Sequence, residues 1–296
     1  MKFCNTYIKN GLLCLAVVLT TLSSCDKDDN PNNLPEVNPA DYAGTVDGFN
    51  STDELYPNNL VAYWNFDTNN NETKSNTAPT NAANVTTVDA GIKGKALNLN
   101  AGYLYYATPF NAFKTAALKS FTISTWVQIA NNGSKKTMLF QLARPGMFNG
   151  NINFVLETNV LPATDVENLV VHPVFNTIGG GTQDNLNANR ALKIGLNRWT
   201  HIALTYNGTT GIFNIIANGN NIGSYSSRGT GNNLFNSFEP NEVIIGGNYN
   251  VVTGKSVSTD VSFAAMTGRM DELRIYNIAL PEAIVKSIYN LGLAGK

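Results

Sequence analysis

From Leu60 to Tyr276 the chain is divided into short runs in which apolar and polar residues alternate, most of them closed by asparagine or glycine. LVAYWNF, ALNL, YLYYAT, FTISTWVQI, TMLFQL, NINFVLE, LVVHPVF, WTHIALTY, GIFNIIA, EVIIGG and MDELRIY are the clearest. A period of two sends successive side chains to opposite faces of a strand, so the pattern restricts the chain to an all-β sandwich. In FTISTWVQI, Phe121, Ile123, Thr125 and Val127 share one face; Thr122, Ser124, Trp126 and Gln128 share the other, where Trp126 argues against simple solvation. Asn218-Gly219 predicts a tight hairpin, because positive φ costs little at these residues. One helix is expected, after Pro281: Glu282 suits its positive end, and Ile284, Ile288 and Leu291 recur at helical spacing.

Composition narrows the partners. The 296 residues include 44 asparagines and 25 glycines, which favour turns, while 43% hydrophobic content supplies a core that a disordered tail would lack. A net charge of −1 provides no basic footprint for a phosphate backbone, which argues against nucleic acid. No internal repeat and no boundary interrupt residues 60–290, so residues 59–296 are expected to form one domain.

The first residues read as an address. Lys2 and Lys9 precede an apolar stretch, GLLCLAVVLTTL, too short to span a bilayer stably. Leu22-Ser23-Ser24-Cys25 resembles a bacterial lipobox, which implies a signal peptide over residues 1–24 and a diacylglyceryl group on Cys25. Cys4 and Cys14 would leave with the signal, so no disulfide is expected. Asp26, Lys27, Asp28 and Asp29 resemble the signal that sends Bacteroidetes-type lipoproteins to the outer face of the outer membrane; a solvated tether start is the alternative. The Asn-, Pro- and Asp-rich stretch completing residues 25–58 is expected to be a tether, part of which, around Tyr56, could pack on the domain edge.

Several segments together resemble the laminin-G-like, concanavalin A-like lectin/glucanase family. They are LVAYWNFD; GIKGKALNLN with Gly91, Gly94, Ala96, Leu97 and Leu99; SFTISTWVQ; GLNRWTHIALTYNG with Trp199, His201, Ala203, Thr205, Tyr206 and Gly208; EVIIGG; and GRMDELRIYNIAL. The resemblance implies a jelly roll of two antiparallel sheets, one of them concave, with one short C-terminal helix. It also implies that Trp199 and His201 are packing positions. Trp64 and Trp126 are expected in the core with their indole N–H groups paired. The fold carries lectins, adhesive modules, glycosidases and lyases alike, so it leaves function open.

The least family-like stretch, Met138 to Phe175, is where a ligand site is sought. Gln141, Arg144, Asn153, Glu157, His172 and Asn176 could offer hydrogen bonds to sugar hydroxyls, with Tyr103, Tyr105 and Tyr106 as stacking platforms. The resemblance also implies one structural Ca2+ where the first strand meets the last, held by Asp67 and Asp271. The chain departs from the family there, having Asn69, Asn70, Asn71 and Glu72 in place of a compact Asp-Ser-Gly-type turn; strand-end hydrogen bonds are the alternative. His172 and His201 are too few for zinc.

No E-x-D-x-x-E string of the jelly-roll glucanases occurs. If the chain were a glycosidase or lyase, Glu157, Asp165 and Glu167 would be its carboxylates. A nucleophile elbow and phosphate loops are absent, and IGGGT at Ile178–Thr182 reads as a turn. The leading expectation is a lipid-anchored, non-catalytic, lectin-like protein that captures polysaccharide beside glycan-uptake partners. A jelly-roll enzyme and an adhesive module binding protein or envelope are the alternatives.

Overall fold

The computed structural model describes residues 44–107, 110–176, 182–183, 189–225 and 238–296. The signal segment, Cys25, the acidic run after it and most of IGGGT lie outside the described residues. The strands are β1 Leu60–Trp64, β2 Asn81–Val88, β3 Ala96–Tyr106, β4 Phe121–Gln128, β5 Thr137–Ala143, β6 Ile152–Leu156 and β7 Asn168–Asn176. They continue with β8 Thr182–Gln183, β9 Asn189–Leu192, β10 Thr200–Asn207, β11 Ile212–Ala217, β12 Asn220–Tyr225, β13 Glu242–Ile245 and β14 Met266–Tyr276, before helix α1, Glu282–Leu293.

The strands pair antiparallel in one continuous order, β12-β11-β10-β4-β14-β3-β13-β5-β6-β7-β8, with β1 on β14, β2 on β3 and β9 on β7. This ladder folds back on itself. Phe175 of β7 stacks on Phe213 of β11 at 4.2 Å although their strands are far apart in the order, which requires two layers face to face. The two expected sheets are thus present as layers, joined through the long strands β3 and β14. Between them lies the main core, including Trp64, Leu97, Phe121, Ile123, Phe140, Phe154, Leu204 and Leu273.

Local chemistry explains the connections. Asn218 and Gly219 both have positive φ, +49° and +74°, as the two-residue turn between β11 and β12 requires. Helix α1 lays Val285, Ile288 and Leu291 on Ala203, Ile216 and Tyr276, covering the outer face of the layer that contains β10, β11 and β14. Leu55 joins the same cluster, with Val46 and Phe49 packed against it, and Asp53 pairs with Arg274 at 2.8 Å. The compact unit therefore runs from Gly44 to Lys296, and residues 44–58, expected as tether, belong to its edge. Leu55 makes the apolar contact there, whereas Tyr56 is exposed.

Candidate functional site

Most residues expected to meet sugar are instead committed to the fold. Gln141 and Asn153 sit opposite each other on β5 and β6 and are completely buried. Gln141 Nε2 donates to the Phe148 carbonyl and to Asn153 Oδ1, which also accepts the Gly150 N–H. Asn153 Nδ2 donates to the carbonyls of Gly150 and Val174, and Asn176 Nδ2 to that of Asn149. These amides hold the turn between β5 and β6 in place. Their expected ligand role is corrected, since burial leaves them no approach. Arg144 is exposed and lies over the Phe238 ring at 5.5 Å, and Glu157 pairs with His172 at 2.8 Å.

The tyrosines are corrected as well. Tyr103 and Tyr105 are each 3% exposed, and Tyr249 and Val252, from the connection between β13 and β14, cluster with them. The Thr253 N–H donates to the Tyr103 hydroxyl, and the Tyr105 hydroxyl donates to Glu242 with Lys255 over the ring. Tyr106 points to the other side, into the main core, and accepts the Trp64 indole N–H at 2.9 Å. No face is left on these rings for stacking.

The candidate catalytic carboxylates have separate tasks. Asp165 Oδ1 accepts the N–H groups of Glu167 and Asn168, closing the turn before β7; these bonds hold its carboxyl below the usual range. Glu157 is paired with His172, and Glu167 is exposed. Nothing assembles the three into a carboxylate pair.

Asp67 and Asp271 do meet at one place, the Gly91–Lys95 turn. Asp271 Oδ2 accepts the N–H groups of Ile92 and Lys93, its Oδ1 accepts that of Glu272, and Asp67 Oδ1 accepts that of Lys95. A Cβ on Gly94, whose φ is +67°, would stand 2.2 Å from Asp67 Oδ1, and one on Gly91 would stand 2.8 Å from Asp271 Oδ2. The glycines of GIKGK therefore let the backbone close on the two acids. Burial pushes the Asp271 carboxyl up to about 8 against the pull of its N–H donors. Three of the four carboxylate oxygens already face N–H groups. Among the described residues, no three His, Cys, Asp or Glu side chains gather as a metal would need. The arrangement does not fit the oxygen shell of calcium.

The packing positions behave as such. His201 is wholly buried with Nε2 2.8 Å from Ser124 Oγ, and Trp126 stacks on Tyr289 at 5.5 Å beneath α1. Trp199 is half-buried just before β10.

What remains open is a polar surface that the sequence reading did not single out. On the outer face of the layer, Thr86, Asn98, Arg269 and Gln128 stand opposite one another across β2, β3, β14 and β4. Asn98 Nδ2 donates to Thr86 Oγ1 and Arg269 Nη1 to Gln128 Oε1, each at 3.2 Å. Four strands set side by side make this row about 14 Å long. A cleft of about 310 Å³ lies along it, lined also by Asn100, Asn197 and Thr267. An adjoining cleft of about 380 Å³ shares Leu196 and Thr267 and reaches Asn131, Lys135, Lys136 and Thr137. Asn131 and Thr137 are buried, and among the described residues neither Asn131 Oδ1 nor Thr137 Oγ1 has a hydrogen-bond partner. An unpaired buried acceptor costs about 1–3 kcal/mol, and burial keeps these two atoms from a ligand in the cleft as it does Gln141 and Asn153. The available sequence signal was the outward position of Asn98 and Arg269 within ALNLN and TGRMD.

Residues 100–286 match the family model described as Laminin_G_3, the concanavalin A-like lectin/glucanases superfamily. No curated protein matches the chain. Among solved structures, the binding domain of Paraclostridial Mosquitocidal Protein 1 is 19% identical with a TM-score of 0.54, over 79% of this chain and 52% of that one. The chain thus spans about half of that relative. Domain 4 of AbnA, a GH43 extracellular arabinanase from Geobacillus stearothermophilus in complex with arabinotriose, is 20% identical with a TM-score of 0.53, over 78% of this chain and 98% of that one. The binding domain of Botulinum Neurotoxin DC in complex with SialylT is 14% identical with a TM-score of 0.53, over 81% and 52%. At these identities the likeness is one of fold.

Proposed function

Since the chain belongs to the concanavalin A-like lectin/glucanases superfamily, a fold that leaves activity open, we propose that it is a lipid-anchored surface protein that binds glycan without cleaving it. The observation that carries this reading is the pair of adjoining clefts, whose walls offer amides, hydroxyls and a guanidinium and whose volumes suit a small ligand. Neutral donors and acceptors in a row match the spaced hydroxyls of a short oligosaccharide. Arabinotriose on the arabinanase domain supports the choice of ligand class. Diacylglyceryl-Cys25 would hold the domain at the outer face of the outer membrane, with residues 26–43 as tether, where it would deliver polysaccharide to uptake partners.

A glycan array probed with the full chain, with and without a calcium chelator, tests the binding. Retention of glycan with no released sugar, indifferent to the chelator, is expected. Release of reducing or unsaturated ends would overturn the non-catalytic reading. An empty array combined with binding to envelope or matrix protein would replace it with an adhesive one. Cys25→Ser should move the protein out of the membrane fraction; unchanged fractionation would overturn the anchor.

A further inference from the structure

The clefts differ from the rest of the surface in how their cations are treated. Lys135, Lys136 and Arg269 are half-buried, line the two clefts and have no carboxylate within ion-pair distance among the described residues. The other described lysines and arginines that are not fully exposed are Lys93, Lys255, Arg274 and the final Lys296. Lys93, Lys255 and Arg274 each have an acid partner, and Lys296 Nζ donates to the Gly44 carbonyl. Partly desolvating a cation without a counter-charge is unfavourable, so three such groups along two adjoining clefts are a cost that a bound anion would offset. Lys135 Nζ donates to the Val261 carbonyl, Lys136 Nζ lies over the Phe263 ring at 5.1 Å, and Arg269 donates to the neutral Gln128. These contacts orient the cations without neutralising them. Asp260 is the nearby acid. Its carboxyl is held down chiefly by hydrogen bonds from Ser262, with smaller contributions from Lys136 and Lys135.

Lys136 also lines a third, smaller cleft of about 170 Å³ with His172, Phe148, Phe263 and the acid Asp260. The three openings are thus linked by shared walls, Leu196 and Thr267 at one junction and Lys136 at the other.

We propose that this linked track selects an anionic glycan, whose carboxylate or sulfate groups are met by Lys135, Lys136 and Arg269 while its hydroxyls are met by the neutral side chains between them. The inference rests on the glycan-binding reading and names its ligand class.

The test measures binding of the full chain to polygalacturonate, dextran sulfate and neutral dextran by affinity electrophoresis, at low salt and at about 0.5 M salt. Lys136→Gln, Arg269→Gln and, as a control on α1, Lys286→Gln are compared with the parent, with melting temperatures to verify folding. At least one polyanion should bind about tenfold tighter than dextran and weaken with salt. Each cleft substitution should lower that affinity about tenfold, and Lys286→Gln should leave it unchanged. A preference between the two polyanions identifies carboxylate or sulfate as the recognised group. Equal binding of dextran, unaffected by the cleft substitutions, would overturn anion selection and leave glycan binding standing. Binding of none of the three together with an empty array would overturn both. An equal loss in Lys286→Gln would reduce the effect to general charge and overturn the track.

Discussion

Acid should destabilise this protein through His201. The ring lies on β10 beneath α1, 5.1 Å from Trp126, with Nε2 hydrogen-bonded to Ser124 Oγ; burial pushes its pKa down to about 3. In the unfolded chain the same imidazole takes a proton below about pH 6.5. Between those values the unfolded state binds a proton that the folded state refuses, so stability falls as pH falls from 6.5 towards 3. Each pH unit inside this window costs about 1.4 kcal/mol, or about 3 kcal/mol between pH 7 and pH 4. Carboxylates contribute over the same range, and the informative quantity is the difference between the parent and His201→Gln. Urea unfolding followed by fluorescence of the buried Trp64 and Trp126 at the two pH values measures it. The parent should lose about 3 kcal/mol more than the variant, although the variant starts lower at pH 7. Equal losses would refute the reasoning and mean that the imidazole is hydrated or already charged in the folded state.

Asn153→Ala removes the partner of the Gly150 N–H, one of the two acceptors of the Gln141 amide and the donor to two carbonyls, so it should cost about 2–4 kcal/mol in urea unfolding while glycan affinity at permissive temperature stays unchanged. Gly292→Ala would normally stabilise a helix by about 1 kcal/mol, but its Cβ would stand 2.5 Å from Trp126 Cζ2; a melting temperature lowered by an amount equivalent to about 1–3 kcal/mol is expected. Arg274→Met removes the partner of buried Glu272 and should cost about 3–5 kcal/mol, with Glu272→Gln in the same chain recovering a substantial part.

The strands were legible because alternation is local: the pleat alone sends Phe121 and Ile123 one way and Trp126 the other. The hairpin at Asn218-Gly219 and the helix after Pro281 were legible for the same reason, each written in a few adjacent residues. The binding surface was not. Gln141, Asn153 and the tyrosines have the chemistry of sugar ligands, and nothing near them in the chain states that a turn and the β13–β14 connection close over them. Asp67 and Asp271 were rightly expected to lie where first and last strands meet, yet what they grip is the backbone of a glycine turn 24 residues after the first and 180 before the second.

The sequence by itself determined the strand pattern, the layered β architecture and the charge balance that disfavours nucleic acid, since these follow from side-chain periodicity and composition. Which polar residues are spent inside the fold and which are left for a ligand was decided only by the tertiary structure. Burial and hydrogen-bond satisfaction depend on what packs across from a residue. For Asn98, Arg269 and Gln128 those neighbours come from strands up to 171 positions apart in the chain.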